Sequence, residues 1–540
     1  MISATESQKK IKPLHRPTVL IVLDGWGVAV PSHANAITSA RTPQFDSLVS
    51  RYPVFTLQAS GEATGLPWSE VGNSEVGHMS IGAGRIVYQD LSRINASIED
   101  ASFFGNAPFN SAIEHVREHD STLHIIGMIS SGGVHSHIDH LFALLELCRQ
   151  RAVPHVMIHA ILDGRDTPYA SGKEFVQKVQ DRCAPLSDAR IGSISGRFYA
   201  MDRDNHWDRI EKAYQAIVGD STAPVAHDPI DAVEASYQEK VWDEEFVPTA
   251  ICNPDGSSRR QVNVNDACIF SNIRADRARQ LTHCFVDSEF TKFQRVKIEK
   301  LPFVTFTHYE EGLPVRVAFS PQSLTWSLSE AVSRQGFAQL HIAETEKYAH
   351  VTYFLNGGKE TPFLAEKREL IPSPSVTSYD QKPEMSARGI TDAALKSIQS
   401  DEYDFIVINF ANADMVGHTG NLKATITAVE VIDQSLGLLV GAVLAKGGAI
   451  VLTADHGNAE TLIDLKTGSI DKEHSNNPVP CILIAKDLEG KSFTALDVSG
   501  KDLSVIEPSG LLSDVAPTVL GLMGIPVPPE MTGKSLLTSY

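Results

Sequence analysis

The chain has 540 residues, 42% of them hydrophobic and 21% charged, the make-up of a soluble globular protein too long for one ordinary core, so two domains are expected. Its 47 Lys and Arg against 66 Asp and Glu leave a formal charge of −19, which argues against a nucleic-acid or anionic-membrane partner. Six cysteines without a CxxC pair read as reduced thiols, and the first apolar run, about six residues long, is neither a signal peptide nor a membrane span, so a cytoplasmic protein is expected.

In chain order, Thr18 to Leu23 is a continuous apolar, β-branched run ending in Asp24-Gly25, the pattern of a buried parallel strand. Gly72 to His78 is a small-residue segment whose Ser74 lacks a Ser-His-Asp context. Ser74 reads either as a helix N-cap with Glu75 in the first turn, or as a nucleophile activated by a metal ion. The two are compatible, because a helix N-terminus also favours a phosphorylated serine.

A block with different chemistry follows. Leu123 to Ile129, His155 to Leu162, Ile191 to Ile194 and Cys268 to Asn272 read as strands, and Leu141 to Cys148 as an amphipathic helix, which suggests βαβ units. The strand ends here carry arginines: Arg165 beside Asp166, then Arg197 and Arg203, then Arg274 and Arg277. Each could be a surface ion pair with a neighbouring aspartate, but their recurrence points to a pocket for a small anion bearing phosphate and carboxylate. The Gly-rich turn Ser131 to His137, with His135, reads as a metal site, an acid/base site or a plain loop. Lys347, taken alone, would pass as an exposed lysine.

Near the end, Phe405 to Phe410 leads to Asp414 and His418, and Ala449 to Thr453 leads to Asp455-His456-Gly457-Asn458, with His474 beyond. Between them Val429, Ile432, Leu436, Leu439, Val440 and Val443 form a helical stripe closed by Gly447-Gly448. Three Asp and three His at the carboxyl ends of parallel strands are enough for two divalent ions. Residues 1–90 and 320–540 are therefore expected to form one domain, interrupted by a second over 91–319, with hinges near 89–93 and 313–322.

These stretches resemble the cofactor-independent phosphoglycerate mutases of the alkaline phosphatase superfamily. The match runs in the family's order through Leu23 to Gly27, Gly72 to His78, Gly132 to His137, Asp163 to Asp166, Ser195 to Asp204 and Arg274 to Arg277. It continues through Ala343 to Thr352, Ile371 to Pro374, Asp414 to Gly420, Asp455 to Asn458 and His474 to Pro480. The resemblance implies an α/β fold, with an alkaline-phosphatase-like domain and a second, inserted α/β domain, both built on largely parallel sheets flanked by helices. It implies one metal held by Asp414, His418 and His474, and another by Asp24, Ser74, Asp455 and His456. Arg165, Arg197, Arg203, Arg274 and Arg277 would grip the substrate, with His135, Asp166 and Lys347 near the reacting groups. The activity implied is interconversion of 2- and 3-phosphoglycerate in glycolysis and gluconeogenesis, through a phosphoserine at Ser74. It would use two divalent ions (Mn²⁺, Co²⁺ or Mg²⁺) and no 2,3-bisphosphoglycerate, in a cytoplasmic monomer without nucleic-acid or membrane partners. Ser131 stands where the family commonly has Asp, Ser475 where Thr is usual, and the loop from His308 to Phe319 differs from the bacterial pattern.

Overall fold

The computed structural model describes residues 12–538, apart from 69, 220–221, 254, 256–260, 296, 322–323 and 492–501. The chain falls into two compact units, 1–89 with 323–540, and 90–322. Ser320 lies in the second unit, where its carbonyl accepts from Arg93 Nη1 at 2.7 Å. The fold is mixed α/β, with two largely parallel sheets flanked by helices.

In the first unit the described residues form an eight-stranded sheet. Its order is Glu366–Ile371, Gln339–Glu344, Phe405–Phe410, Thr18–Leu23, Ala449–Thr453, Val479–Ile484, Val54–Gln58 and Gly510–Leu511. Of these, only Val479–Ile484 runs against its neighbours. Thr18–Leu23 lies between Phe405–Phe410 and Ala449–Thr453, parallel to both, with Thr18 opposite Phe405 and Ala449. That register brings the residues following all three strands to one edge of the sheet, which is why their unbroken apolar runs end in polar clusters.

The stripe around Leu436 belongs to a 24-residue helix, Leu422–Ala445, capped at its start by the Asn421 side chain. It is long and apolar enough to cross a bilayer, yet Val429, Ile432, Leu436, Leu439 and Val443 are wholly buried in the first unit's core. Its apolarity is explained by that packing.

The second unit also has eight described strands, ordered Arg316–Val317, Phe303–Thr305, Ala267–Phe270, Thr122–Met128, His155–Leu162, Ala189–Gly196, Thr249–Ile251 and Val225–Ala226. The first six are parallel, and Thr249–Ile251 turns the edge antiparallel. Side chains alternate between two cores: Ile125, Ile158 and Ile269 pack on one face, Ile126, Ile161 and Phe270 on the other. The helix expected over 141–148 extends to Ile138–Gln150, because the His137 side chain caps its start and polar residues continue its outer face.

The central strand offers a direct stability test. Leu20 is fully buried, so Leu20→Ala should cost about 2–5 kcal/mol. Leu438 is 59% exposed, and its replacement by Ala should stay within about 0.5 kcal/mol. Urea unfolding followed by circular dichroism reads both.

Candidate active site and metal centre

Asp24 follows the central strand, and its backbone N–H donates to Phe410 O at 3.1 Å. Gly25 has φ +73°, and a Cβ there would lie 2.7 Å from Asp414 Cα. Only glycine lets this turn touch the helix Asn412–Gly417. Ser74 opens the helix Ser74–Ala83, but the cap is Asn73, whose side chain accepts from Val76 N. The cap reading of Ser74 is thus corrected by one residue, and the Ser74 hydroxyl is left to face the loops. Gly77 lets the helix approach them, since a Cβ would lie 2.6 Å from the Asp455 carbonyl oxygen.

Ser74 Oγ donates to Asp24 Oδ1 at 3.2 Å and lies 2.9 Å from His456 Nε2. Lys347 Nζ donates to Ser74 Oγ at 2.7 Å and pairs with Asp24 Oδ1 at 2.6 Å and Asp414 Oδ2 at 2.7 Å. Lys347 is therefore not the exposed lysine that its local sequence suggests; it is 4% exposed, and three acceptors converge on it. Beside this knot, His418 Nε2 and His474 Nε2 each lie 3.2 Å from Asp414 Oδ1.

The electrostatics follow from burying these carboxylates together. Burial opposes charge on Asp24, but Lys347 and His456 outweigh it and hold its carboxyl far below the ordinary range. Burial also opposes charge on Lys347, but Asp24, Asp414 and Asp455 raise its pKa well above the usual lysine value. On His456 burial is overcome by Asp455, Asp24 and Asp414, which carry it up to about 10. The Asp414 carboxylate raises His418 against the opposing effect of burial.

The donor set fits divalent ions. Nδ1 of His418 donates to Lys472 O at 2.7 Å, and Nδ1 of His474 to Gly72 O at 2.8 Å. Each ring thus turns an Nε2 lone pair inward, and the two nitrogens stand 2.9 Å apart. Two lone pairs held so close need a cation between them, a metal ion or a proton. Asp455 Oδ2 is buried without a hydrogen bond and lies 3.6 Å from His456 Nε2. Ligand atoms of Asp414, His418 and His474, and of Asp24, Asp414 and His456, lie within 4.8 Å of one another.

The second unit gathers the other expected residues. Arg197 is buried, with Nη1 2.6 Å from both Asp163 Oδ1 and Asp166 Oδ2. Asp276 holds Arg203 at 2.9 Å and Arg274 at 3.3 Å, and lies 3.7 Å from His135 Nδ1. Arg277 donates to Met201 O at 3.1 Å. Burial lowers the Arg277 pKa, and Arg203, Arg197 and Arg165 lower it further, as expected where guanidinium groups converge. Arg165 stands apart on the rim, 3.8 Å from Glu244. Burial and Arg197 push His135 down to about 4, so its ring is neutral at pH 7.

Several site residues were not singled out from the sequence. His78, four residues after Ser74, donates Nδ1 to the Ser74 carbonyl at 2.9 Å and lies 3.1 Å from Asp455 Oδ2. Asn409 donates to Asp24 Oδ2 at 2.8 Å, and Asn458 to Asp414 Oδ1 at 2.9 Å. Asn409 was findable as the polar residue in an apolar strand. Asp163 and Asp276, which orient the arginines, follow or adjoin the strand ends already marked.

Fold and site define a class: a two-unit α/β protein in which a helix-start serine faces clustered Asp and His side chains suited to divalent ions. The family profile described as BPG-independent PGAM N-terminus matches residues 94–311. The chain is 48% identical to a 2,3-bisphosphoglycerate-independent phosphoglycerate mutase of Chloroflexus aggregans, over 97% of this chain and 98% of the relative. It is 48% identical to one from Moorella thermoacetica, over 97% and 99% of the two chains. A solved Leishmania mexicana phosphoglycerate mutase, at low cobalt concentration, is 30% identical over 97% of this chain and 98% of that one, with a TM-score of 0.57. The chain belongs to the family of 2,3-bisphosphoglycerate-independent phosphoglycerate mutases, which are isomerases.

Metal binding should release protons, because imidazole must be neutral to coordinate and the surrounding carboxylates carry His456 up to about 10. Apparent affinity should therefore rise with pH from 6 to 9, by up to about tenfold per unit for each proton displaced. Calorimetric titration of Mn²⁺ in buffers of different ionisation enthalpy measures the protons released. A pH-independent affinity would contradict this assignment.

Proposed function

We propose that the chain interconverts 3-phosphoglycerate and 2-phosphoglycerate through a phosphoserine at Ser74, with two divalent ions and no 2,3-bisphosphoglycerate. One observation carries the mechanism: Ser74 Oγ sits at a helix start within hydrogen-bonding reach of Asp24, His456 and Lys347. Its oxygen attacks the substrate phosphorus while the Lys347 ammonium offsets charge on the phosphoryl oxygens. The phosphorus–oxygen bond to glycerate breaks, and the departing alkoxide takes up the proton that Ser74 gives up, relayed through Asp166. The phosphoserine that forms is favoured by the N-terminal end of its helix.

Arg197, Arg203, Arg274 and Arg277 hold the glycerate by its carboxylate, with Arg165 contributing from the rim. Asp166 carries the hydroxyl proton, with neutral His135 nearby. The phosphoryl group then returns to the other hydroxyl, and Ser74 regains its proton. Water must be kept from the phosphoserine, since its hydrolysis would make a phosphatase.

Asp414, His418 and His474 would hold one ion, and Asp24, Ser74, Asp455 and His456 the other. Bound ions supply a lowered hydroxyl pKa at Ser74 and compensation of phosphoryl charge. Mixed carboxylate and imidazole ligands suit Mn²⁺, Co²⁺ or Mg²⁺. The low-cobalt Leishmania structure makes Co²⁺ a natural first ion to test. The same reading places the chain in the alkaline phosphatase superfamily, acting as a cytoplasmic monomer in glycolysis and gluconeogenesis.

Exhaustive chelation should abolish isomerisation and added Mn²⁺ or Co²⁺ should restore it, with 2,3-bisphosphoglycerate absent throughout. Retention of full activity after chelation would sink the two-ion reading.

Ser74→Ala should lower isomerisation on the order of 10³-fold or more in a folded protein. Arg277→Ala removes a charge-assisted contact worth about 1.5–3 kcal/mol, so KM should rise about 10–100-fold. Assays of isomer, free phosphate and Ser74 phosphorylation by mass spectrometry separate the two effects. A Ser74→Ala protein that isomerises at a substantial rate overturns the phosphoserine.

A further inference from the structure

Glu460 is 1% exposed and lies outside every ligand set assigned above. Its Oε2 accepts from Gly27 N at 3.1 Å and Asn458 N at 2.9 Å. Its Oε1 accepts from the Ser475 hydroxyl and from Asn477 Nδ2 at 3.0 Å. Both oxygens therefore take two donors each, and every donor comes from a loop that carries metal-ligand candidates. Gly27 lies three residues beyond Asp24, Asn458 two beyond His456, and Ser475 directly after His474.

Two glycines make room for this carboxylate. A Cβ on either Gly27 or Gly457 would collide with the Glu460 carboxyl group. The loops are also tied to one another around it: Ser475 N donates to Gly457 O at 3.0 Å, and Ala459 N to Gly25 O at 3.0 Å. Asn458, fixed through its backbone by Glu460, donates its side chain to Asp414 Oδ1 at 2.9 Å.

We propose that Glu460 is a positioning residue for both metal ions, a buried carboxylate that joins the loops of Asp24, Asp455-His456 and His474 and sets their spacing. The inference rests on the two-ion reading of the site. It also gives Ser475 a role, since its hydroxyl is one of the four donors.

The Gly27 and Asn458 N–H groups can only donate, so Oε2 must be an acceptor, and here Ser475 and Asn477 donate to Oε1 as well. Glutamine keeps the volume but loses the charge, and with its oxygen on the two backbone donors it turns an NH₂ toward Ser475 and Asn477, which must then reverse their hydrogen bonds. Outer contacts of this kind, when removed, weaken metal binding about 10–100-fold.

The test titrates Mn²⁺ into the full-length, chelated protein by calorimetry, comparing the native chain with Glu460→Gln and following thermal unfolding alongside. Glu460→Gln should bind Mn²⁺ about 10–100-fold more weakly. Its kcat should recover as Mn²⁺ is raised, with KM for 3-phosphoglycerate unchanged. A purely structural role would lower thermal stability without this rescue by metal. A folded Glu460→Gln protein that binds Mn²⁺ as tightly as the native chain overturns the inference alone. A native chain that binds no Mn²⁺ overturns the two-ion reading, and the inference with it. Should Glu460→Gln fail to fold, Ser475→Ala removes one donor and leaves the carboxylate; it should weaken Mn²⁺ binding in the same direction, and unchanged affinity overturns the proposal.

Discussion

Asp24 and Asp414 are buried on either side of the Lys347 ammonium, and the first unit's site depends on that cation. Two unit charges about 4 Å apart interact by roughly 4 kcal/mol at an effective dielectric near 20. The mutual repulsion of Asp24 and Asp414 works against ionising both. Lys347, at 2.6 and 2.7 Å from the two carboxylates, makes their coexistence in the interior possible. The same ammonium donates to Ser74, so the group that stabilises the ligand loops also orients the candidate nucleophile. Stability and chemistry share one contact here.

The sheet makes this convergence possible. Three adjacent parallel strands end at one edge, and a turn or short helix after each delivers one or two candidate ligands. The turns can crowd together only because glycine stands where they touch, as Gly25 does against Asp414. The helix at Ser74 approaches through Gly77 in the same way. Small residues beside the charged ones are thus part of the site's architecture, since a single added methyl would push a ligand loop outward.

The second unit solves a different electrostatic problem with the same topology. Its strand ends converge guanidinium groups, and their repulsion is contained by aspartates that pair with them: Asp163 and Asp166 with Arg197, Asp276 with Arg203 and Arg274. Removing the carboxylate partners of a buried charge such as Arg197 costs about 3–5 kcal/mol, so these pairs fix the guanidinium groups in place. A carboxylate or phosphate arriving there meets groups already oriented.

Much of this was legible in the linear sequence. Predominantly apolar, β-branched runs marked Thr18–Leu23, Phe405–Phe410 and Ala449–Thr453 to the residue, because strands buried on both faces admit few polar positions. The metal-type and arginine-type clusters were visible because each directly follows such a run. The sequence could not place Lys347, whose neighbours Glu346 and Tyr348 read as surface, or name Asn73 as the cap one residue before Ser74. Nor could it reveal the contacts of His78, Asn409, Asn458 and Glu460, which act by hydrogen bonds to residues up to hundreds of positions away. Local periodicity records which side of an element is buried, and so determined the strands, the core and the general chemistry. Which buried groups meet is decided by strand register and loop closure, and only the tertiary structure contains those.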